Sequence, residues 1–211
     1  MTSFIQIFEN EFSNDLCDRL IALLDLCDKE GIAMTGTIGT GNVSSAKKQS
    51  RDVDIHDGFA QGKRSLRLVE SNADLYYEIK AQIDKPILDY VNKNIPNFLG
   101  ETDYLELDYS KNIFIPVQPF KLKKYKAPEE GYHAWHQDWG TNASQKRMLV
   151  VMIYLNDVAE GGETLFFHQG VSIKPKKGTV VIFPPYFTHM HKGNSPISND
   201  KYICNCYIGV G

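Results

Sequence analysis

The stretch MLVVMIYL, residues 148–155, decides the class of fold. All eight residues are apolar, so both faces of a strand formed by them are apolar. Such a run is typical of an inner strand that is covered by other elements on both sides. It is also far shorter than the roughly 18 apolar residues that a membrane-spanning helix needs. The sequence therefore predicts a central strand of a layered domain and no transmembrane segment.

Short runs rich in β-branched and aromatic residues lie before and after this strand. Most of them are separated by Pro, Gly, Asn or Asp, which favour turns. Many short strands with such turns are typical of an all-β sandwich or barrel. The predicted strands are 103–109, 113–117, 119–125, 132–136, 148–155, 163–167, 171–173, 179–183, 188–192 and 201–208.

The first hundred residues contain two helical patterns. Apolar residues recur at helical spacing over 16–27, after candidate N-cap residues at 13–15, and this pattern ends at Gly31. Helical spacing returns over 72–95, where Pro86 predicts a kink or two consecutive helices. We therefore expect an α+β fold, in which N-terminal helices support a β-sandwich.

Residues 35–65 lack any periodicity and have the composition of a loop. A loop of this length is usually a lid, a binding loop or disordered, and both a substrate lid and surface disorder stay open here. The charged residues of this candidate lid are Arg51, Asp52, Asp54 and Lys63. With 211 residues, the chain is expected to form one domain, 1–211. Residues 1–100 then supply helical support and the loop, and residues 101–211 form the β core.

Composition and charge exclude several classes of protein. The formal net charge of −3 provides no overall field that favours nucleic acid, so we expect no nucleic-acid or membrane partner. The N-terminus lacks the basic and apolar regions of a secretory signal, which predicts a soluble cytoplasmic protein. The four cysteines have no zinc-site spacing and are expected to be reduced; they are Cys17, Cys27, Cys204 and Cys206.

A group of lysines within one predicted strand allows two interpretations. It either forms a strand that faces an anion or protects a solvated edge strand, and the edge strand is favoured. The group comprises Lys121, Lys123, Lys124 and Lys126.

The stretch GYHAWHQDW, residues 131–139, carries the strongest chemical signal. His136 and Asp138 are two residues apart, so on an extended strand their side chains leave the same face. Downstream, His189 and His191 each offer a third ligand. Two histidines and one carboxylate, with open positions opposite, form the facial triad of non-heme Fe(II) oxygenases. A lone H-x-D pair is a weak signal, and the motifs that follow it in order make this pair more specific.

These ordered motifs resemble those of the 2-oxoglutarate- and Fe(II)-dependent dioxygenases, specifically the prolyl 4-hydroxylase-like branch. The resemblance covers roughly residues 120–208. It implies a double-stranded β-helix, or jelly-roll, fold and the use of Fe(II), 2-oxoglutarate and O₂. The matching motifs are Y…GYxxxHxD, YLNDVxEGGET, KPKKGxxxxFP, HxGxxP and a basic residue that opens the last strand.

The resemblance maps His136 and Asp138 onto the first two iron ligands. In the family, the basic residue that binds the distal carboxylate lies about ten residues after the third ligand. Lys201 lies ten residues after His191 and twelve after His189, so His191 is the preferred third ligand. His189 then becomes a neighbour with a supporting role.

Lys201 and two tyrosines are the candidates for binding 2-oxoglutarate. A lysine that opens an apolar strand points inward only where it meets a negative charge, and the distal carboxylate provides one. Tyr125 and Tyr154 match family tyrosines, and either hydroxyl is a candidate donor to the same carboxylate. Each is equally compatible with an ordinary core position.

The resemblance implies hydroxylation of an unactivated C–H bond, in the first place on a prolyl residue of a peptide or protein. Succinate and CO₂ are the expected co-products, and ascorbate is a further candidate cofactor. The carboxylate of Asp138 favours hydroxylation, because halogenating relatives lack it. Two alternatives stay open: the same chemistry on a free amino acid or other small molecule, and a catalytically silent jelly-roll binding module. The sequence leaves the substrate and the oligomeric state undetermined.

Overall fold

Two antiparallel sheets form the centre of the protein. The computed structural model describes residues 3–38, 42–56, 73–95, 114–140 and 142–210. Its strands are β1 (Gln6–Phe8), β2 (Met34–Thr35), β3 (Arg51–Ile55), β4 (Phe114–Pro116), β5 (Phe120–Tyr125), β6 (Tyr132–His136), β7 (Leu149–Tyr154), β8 (Thr164–Phe166), β9 (Val171–Ile173), β10 (Thr179–Phe183), β11 (His191–Gly193) and β12 (Lys201–Val210). Its helices are α1 (Asn14–Lys29) and α2 (Ala73–Asn94).

The larger sheet has the strand order β1-β10-β7-β12-β5-β3-β2, and β4 also pairs with β12. The smaller sheet has the order β6-β11-β8-β9. From β5 onward the chain crosses repeatedly between the sheets: β5, β7, β10 and β12 belong to the larger sheet, and β6, β8, β9 and β11 belong to the smaller one. This arrangement places the strand that carries the H-x-D pair opposite β5 and β12.

The strand β7 is covered on both faces, as the apolar stretch at its position predicts. Val151 and Ile153 belong to a core that includes both helices, whereas Val150 and Met152 belong to a second core between the sheets. All six residues of β7 are buried. The alternation of side chains along one strand therefore joins a helix layer and two sheet layers, which confirms the α+β class.

Helix α1 begins where the N-cap pattern predicts. The Ser13 hydroxyl accepts a hydrogen bond from the Leu16 amide at 3.3 Å, and Gly31, with φ of +70°, follows the end of the helix. Helix α2 runs continuously through Pro86, so the proline does not divide it into two helices. Pro86 lies between Ile83 and Ile87, which are both buried in the core and hold the helix against the sheet.

Replacing Leu24 by alanine is expected to lower the free energy of unfolding by about 2–5 kcal/mol. Its side chain is fully buried in the core between α1 and the larger sheet, so truncation leaves a cavity. The matched control is Leu26→Ala on the same helix, where the leucine is 42% exposed; its effect should stay within about 0.5 kcal/mol. Urea unfolding measures both, and equal effects would contradict the proposed packing.

The structure corrects the interpretation of the N-terminal half at one point. Residues 51–55, expected within a loop, form β3, and all five of them pair with residues of β5. Consequently β5 is an inner strand between β3 and β12, and the expectation of a solvated edge strand is wrong. The predicted strand at 103–109 and Lys63 lie outside the described residues. Residues 187–189 form a 3-10 turn instead of the start of a strand.

No helix in the described parts of the chain is long and apolar enough to cross a bilayer. The four cysteines are buried and unpaired with one another, as expected for reduced thiols.

Candidate active site

A cavity of about 470 Å³ lies between the two sheets. This volume falls within the range of about 300–1,000 Å³ that small-molecule sites occupy. The larger sheet contributes inward-facing side chains of β3, β5 and β12, and the smaller sheet contributes β6 and β11. Polar and charged side chains are frequent in its wall, which is unusual for the space between two packed sheets.

Three potential metal ligands meet at one side of this cavity. His136 ends β6, Asp138 follows it by two residues, and His191 begins β11. The pairing of β6 with β11 places His136 directly opposite His191. One ligand atom from each of the three residues lies within 4.8 Å of the other two. The pairing of two strands thus brings together residues that are 55 positions apart in sequence.

Both imidazole rings are oriented by bonds to the backbone. Nδ1 of His136 lies 3.0 Å from the Ala134 carbonyl, and Nδ1 of His191 lies 3.0 Å from the His189 carbonyl. A proton on Nδ1 donated to each carbonyl leaves Nε2 with a free lone pair toward the cavity, as a metal ligand requires. The Tyr132 ring stacks on His136 at a centroid distance of 3.5 Å.

Burial, followed by repulsion from His191, lowers the pKa of His136 to about 3. The ring is therefore neutral at physiological pH, which is the form that binds metals.

Asp138 presents one bonded and one unbonded oxygen. Its Oδ1 accepts a hydrogen bond from the Tyr207 hydroxyl at 3.1 Å. Its Oδ2 is buried, has no hydrogen-bond partner among the described residues, and lies 3.4 Å from Nε2 of His191. Burial acts to raise the pKa of this carboxyl, but its close contact with His191 and the neighbouring positive charge of Lys123 outweigh burial and lower the pKa well below its usual range. A buried, ionised oxygen beside two imidazoles fits a divalent cation.

The backbone around Asp138 is held from two directions. The amides of Asp138 and Trp139 both donate to the Pro185 carbonyl at 2.9 Å. The Arg147 guanidinium donates to the Asp138 carbonyl at 2.6 Å and lies over the Tyr207 ring at 3.5 Å. Sequence reasoning did not identify Arg147 or Tyr207. The period of two along β12 gives a signal for Tyr207, whereas Arg147 lies before β7 in a stretch without one.

Lys201 lies deeper in the same cavity and is 3% exposed. Its Nζ donates to the Gly162 carbonyl at 2.6 Å, and no carboxylate forms an ion pair with it in the described part of the chain. Burial lowers the pKa of this amine to about 7. A cation placed without a negative partner in a closed wall is suited to binding an anion.

The buried amine of Lys201 is expected to reduce the stability of the ligand-free protein at neutral pH. Below about pH 7 the amine is charged in both states, so the cost of burying the charge is fully present. Between pH 7 and 10.5 the unfolded state binds more protons, so the free energy of unfolding rises with pH. Lys201→Met should therefore be more stable than the wild type by about 1–3 kcal/mol near pH 7. Urea unfolding at several pH values should show this difference shrinking toward pH 10, and a pH-independent difference would contradict the argument.

The other residues that the sequence predicted for the site lie in three different environments. Tyr125 lines the cavity beside Lys201, its partner in the pairing of β5 and β12. Tyr154 is fully buried between the sheets, where its hydroxyl donates to Thr164 Oγ1 at 2.8 Å, and it does not line the cavity. Nε2 of His189 lies 2.9 Å from the Ser3 carbonyl, so its ring is directed to the N-terminal segment and away from the cavity. The structure therefore brings together His136, Asp138 and His191 but leaves His189 outside the group.

Charged residues of β3 and β5 also line the cavity, which fits the less favoured of the two sequence interpretations, a lysine strand that faces an anion. Lys48 and Asp52 form a buried ion pair at 2.9 Å, and the Ser50 hydroxyl donates to Asp52 at 2.6 Å. Lys123, directly opposite Asp52 in the sheet, is buried in the cavity wall. Burial lowers the pKa of Lys123 to about 8.

One family model and several solved structures are similar to this chain. Residues 120–209 match the family model described as 2OG-Fe(II) oxygenase superfamily. No curated protein sequence matches the chain.

Three solved structures share the fold. A viral collagen prolyl hydroxylase from Paramecium bursaria Chlorella virus-1, solved as its 2OG complex, is 21% identical with a TM-score of 0.59, and the match covers 99% of this chain and 97% of that one. A Trichoplax adhaerens prolyl hydroxylase bound to a hypoxia-inducible-factor peptide is 15% identical with a TM-score of 0.69, covering 99% and 84%. A Pseudomonas putida prolyl-4-hydroxylase is 18% identical with a TM-score of 0.58, covering 96% and 91%. This likeness confirms the predicted jelly-roll core.

Proposed function

We propose, from the premise that residues 120–209 belong to the 2OG-Fe(II) oxygenase superfamily, that this enzyme hydroxylates a prolyl residue of a peptide or protein. The class of enzyme and its use of Fe(II) and 2-oxoglutarate follow from the family. The observation that carries the assignment to this site is the convergence of His136, Asp138 and His191 in one cavity with a buried Lys201 that forms no ion pair with any described residue. The choice of a prolyl substrate is supported by the fold shared with prolyl hydroxylases.

His136, Asp138 and His191 would hold Fe(II) on one side of the cavity. Their two imidazoles and one carboxylate form the donor set of a facial triad, which leaves coordination positions for a co-substrate and O₂. When bound, iron with 2-oxoglutarate supplies the oxidation of an unactivated C–H bond by O₂, with release of succinate and CO₂. Tyr207 and the Pro185 carbonyl position Asp138, so the carboxylate keeps its direction without the metal.

Lys201 would bind the distal carboxylate of 2-oxoglutarate. Its amine is enclosed in the cavity wall and is fixed by the Gly162 carbonyl, so one ammonium hydrogen bond is made and two remain for a ligand. A lysine provides a point charge, whereas an arginine would provide a bidentate contact. A carboxylate at this position also raises the pKa of the amine, because an opposite charge stabilises the charged form.

The cavity wall keeps the reaction away from bulk water. Met152 and Ile203 face the cavity from the larger sheet and are buried. Trp139 directly follows Asp138, lines the cavity and is 42% exposed, so it is suited to contact a substrate at the cavity mouth. A dry, positioned site of this kind is what the family chemistry requires of the protein.

Tyr125→Phe is expected to lower the affinity for 2-oxoglutarate by about three- to tenfold, because the Tyr125 hydroxyl faces the cavity beside Lys201. Tyr154→Phe should leave that affinity unchanged, since its hydroxyl is bonded to Thr164. The two variants remove the same atom from two tyrosines whose ring centroids lie at similar distances from the Lys201 amine, 5.8 Å for Tyr125 and 5.3 Å for Tyr154. Calorimetric titration of the Fe(II)-loaded proteins under nitrogen compares them, and a larger loss for the Tyr154 variant would reverse the assignment.

The direct test of the function is turnover on matched substrates. The purified protein is supplied with Fe(II), 2-oxoglutarate, O₂ and either a blocked proline-containing peptide or free L-proline. We expect succinate to be released together with the gain of one oxygen atom by the peptide, measured by mass spectrometry. Asp138→Ala serves as the control for metal dependence. Oxygen transfer to the free amino acid alone would overturn the peptide assignment, and no succinate with either class would favour a binding module.

A further inference from the structure

The charges that line the cavity do not balance. Six cationic side chains face three carboxylates; the cations are Lys48, Lys121, Lys123, Arg147, Lys192 and Lys201. Lys48 pairs with Asp52, Lys121 pairs with Asp54, and Arg147 lies 3.8 Å from Asp138. The Lys192 amine lies over the Trp135 ring at the rim. Lys123 and Lys201 are buried, and no carboxylate among the described residues lies within ion-pair distance of either amine, although the charge of Glu163 acts on Lys201 from farther away.

Lys123 has a special position within its strand. It lies in the middle of β5, where its neighbours in the sheet are Asp52 and Ile203, and it is only 6% exposed. Its amine makes no hydrogen bond or ion pair with any residue that the structure describes, although Asp52 is nearby. The adjacent Lys124, on the other face of the strand, has its partner in Asp25 at 2.8 Å.

The ligands of the proposed function do not use Lys123. Asp138 and one carboxylate of 2-oxoglutarate together neutralise the two charges of Fe(II). The other carboxylate neutralises Lys201. Asp138 is then shared between Arg147 and the iron, and Lys48 and Lys123 share the single charge of Asp52, so positive charge remains in excess; among the described residues, Lys123 is then the buried lysine without an anion of its own. An unpaired buried charge is costly, and a bound ligand of opposite charge removes that cost.

A second polar group in the same wall lacks a partner. Asn205 faces the cavity from β12, and its Oδ1 is buried and accepts no hydrogen bond from the described residues. In the sheet it lies opposite Lys121, diagonal to Lys123. Side chains at this diagonal are close enough for one small molecule to touch both. An amide oxygen requires an N–H or O–H donor, whereas the ammonium of Lys123 requires an acceptor.

We propose that Lys123 binds a carboxylate of the primary substrate and that Asn205 accepts a hydrogen bond from an N–H group of the same molecule. The inference rests on the Fe(II) and 2-oxoglutarate site of the proposed function and narrows the class of substrate; a preference for the free amino acid would support the inference and replace the peptide as substrate. The substrate then carries a carboxylate close to the C–H bond that is oxidised. Two sources supply one: the α-carboxylate of a free or C-terminal amino acid, and the side chain of an acidic residue beside the reacting residue.

Binding of matched acid and amide probes tests this inference. The wild-type protein, loaded with Fe(II) and 2-oxoglutarate under nitrogen, is dialysed to equilibrium against each probe. One pair is L-proline and L-prolinamide; the other is the blocked dipeptide acetyl-Glu-Pro-amide and its glutamine analogue. We expect the acid of at least one pair to bind about tenfold or more tightly than its neutral partner. The pair that shows the preference identifies the source of the carboxylate.

Substitutions then assign the preference to one lysine. Lys123→Met should reduce the acid-to-amide ratio to about one, while Lys121→Met, which removes the same charge from the same strand, should retain it. Lys123→Met should also leave the affinity for 2-oxoglutarate within about threefold of the wild type, because Lys201 supplies that contact. Asn205→Leu should lower the affinity for the preferred acid probe without changing how that affinity depends on pH.

The possible results distinguish a failure of this inference from a failure of the proposed function. Equal binding of acid and amide in both pairs, including no binding of any probe, overturns the inference even if Lys123→Met fails to fold. A loss of 2-oxoglutarate affinity in Lys123→Met larger than its effect on the acid probe also overturns it, because Lys123 then belongs to the co-substrate. If Fe(II) and 2-oxoglutarate do not bind the wild type at all, the proposed function fails and the inference fails with it.

Discussion

Replacing His191 by alanine is expected to abolish Fe(II) binding, whereas replacing His189 by alanine should leave it intact. His191 points Nε2 at Asp138 and lies opposite His136, so its loss removes one of three ligands. Mutation of residues that merely support a ligand typically costs about 10–100-fold in metal affinity, and loss of a ligand should exceed this. Metal titration under nitrogen, with iron content measured after desalting, provides the comparison.

His189→Ala is a control with its own expected effect. The ring of His189 lies against the Ser3 carbonyl and anchors the segment that leads into β1. Its loss should lower the free energy of unfolding by about 1–2 kcal/mol without changing the iron content. Loss of iron from the His189 variant together with retention in the His191 variant would show that the third ligand is misassigned.

Lys201→Met is expected to lower the affinity for 2-oxoglutarate by about a hundredfold or more. Its ammonium is the buried cation that faces the distal carboxylate in the proposed complex, and truncating a buried charge partner costs about 2–5 kcal/mol. Fe(II) affinity should change little, because Lys201 is not one of the three grouped ligands. Titration with 2-oxoglutarate of the Fe(II)-loaded protein measures the first effect, and iron content measures the second.

The control for Lys201 is the loss of a different lysine of the cavity. Lys121→Met removes a cation that is already paired with Asp54, so 2-oxoglutarate affinity should stay close to that of the wild type. If both variants lost affinity equally, the effect would come from the total charge of the cavity and not from a contact to Lys201. If Lys201→Met kept its affinity, the co-substrate would bind elsewhere.

Short sequence patterns correctly predicted the strands and helices that can be recognised without knowing which elements they pack against. The apolar run of β7 requires cover on both faces whatever its neighbours are, and the structure provides a helix layer on one face and a sheet on the other. The N-cap and apolar spacing of α1 are equally local. The jelly-roll fold followed from the order of several motifs, since no single run of residues specifies how strands pair.

The strand β3 was missed although a period of two is present in it. Val53 and Ile55 face the helices, and Asp52 and Asp54 face the cavity. Inward-facing carboxylates contradict the usual pattern of strands, and they are tolerated because Lys48 and Lys121 pair with them. β3 can therefore be recognised as a strand only when the lysines that pair with its carboxylates are known, and the sequence of β3 alone does not show them.

The same dependence explains which site residues were found. His136 and Asp138 share a face by spacing alone, but their proximity to His191 requires the pairing of β6 with β11. The buried position of Lys123 depends on β3 covering the edge of β5, so the expectation of a solvated lysine was wrong there. Tyr154 matched a family motif, but its hydroxyl donates a hydrogen bond to Thr164 Oγ1 and is therefore not free to donate to a ligand.

The most direct test of the site is anaerobic titration of the metal-free protein with Fe(II) and then 2-oxoglutarate, followed by visible absorption. Chelation of Fe(II) by the keto acid at an open triad produces a metal-to-ligand charge-transfer band. We predict that this band forms in the wild type and in His189→Ala and is absent from His136→Ala, Asp138→Ala and His191→Ala. A folded wild-type protein without the band, or a band that survives the loss of His191, would contradict the assignment of the iron site.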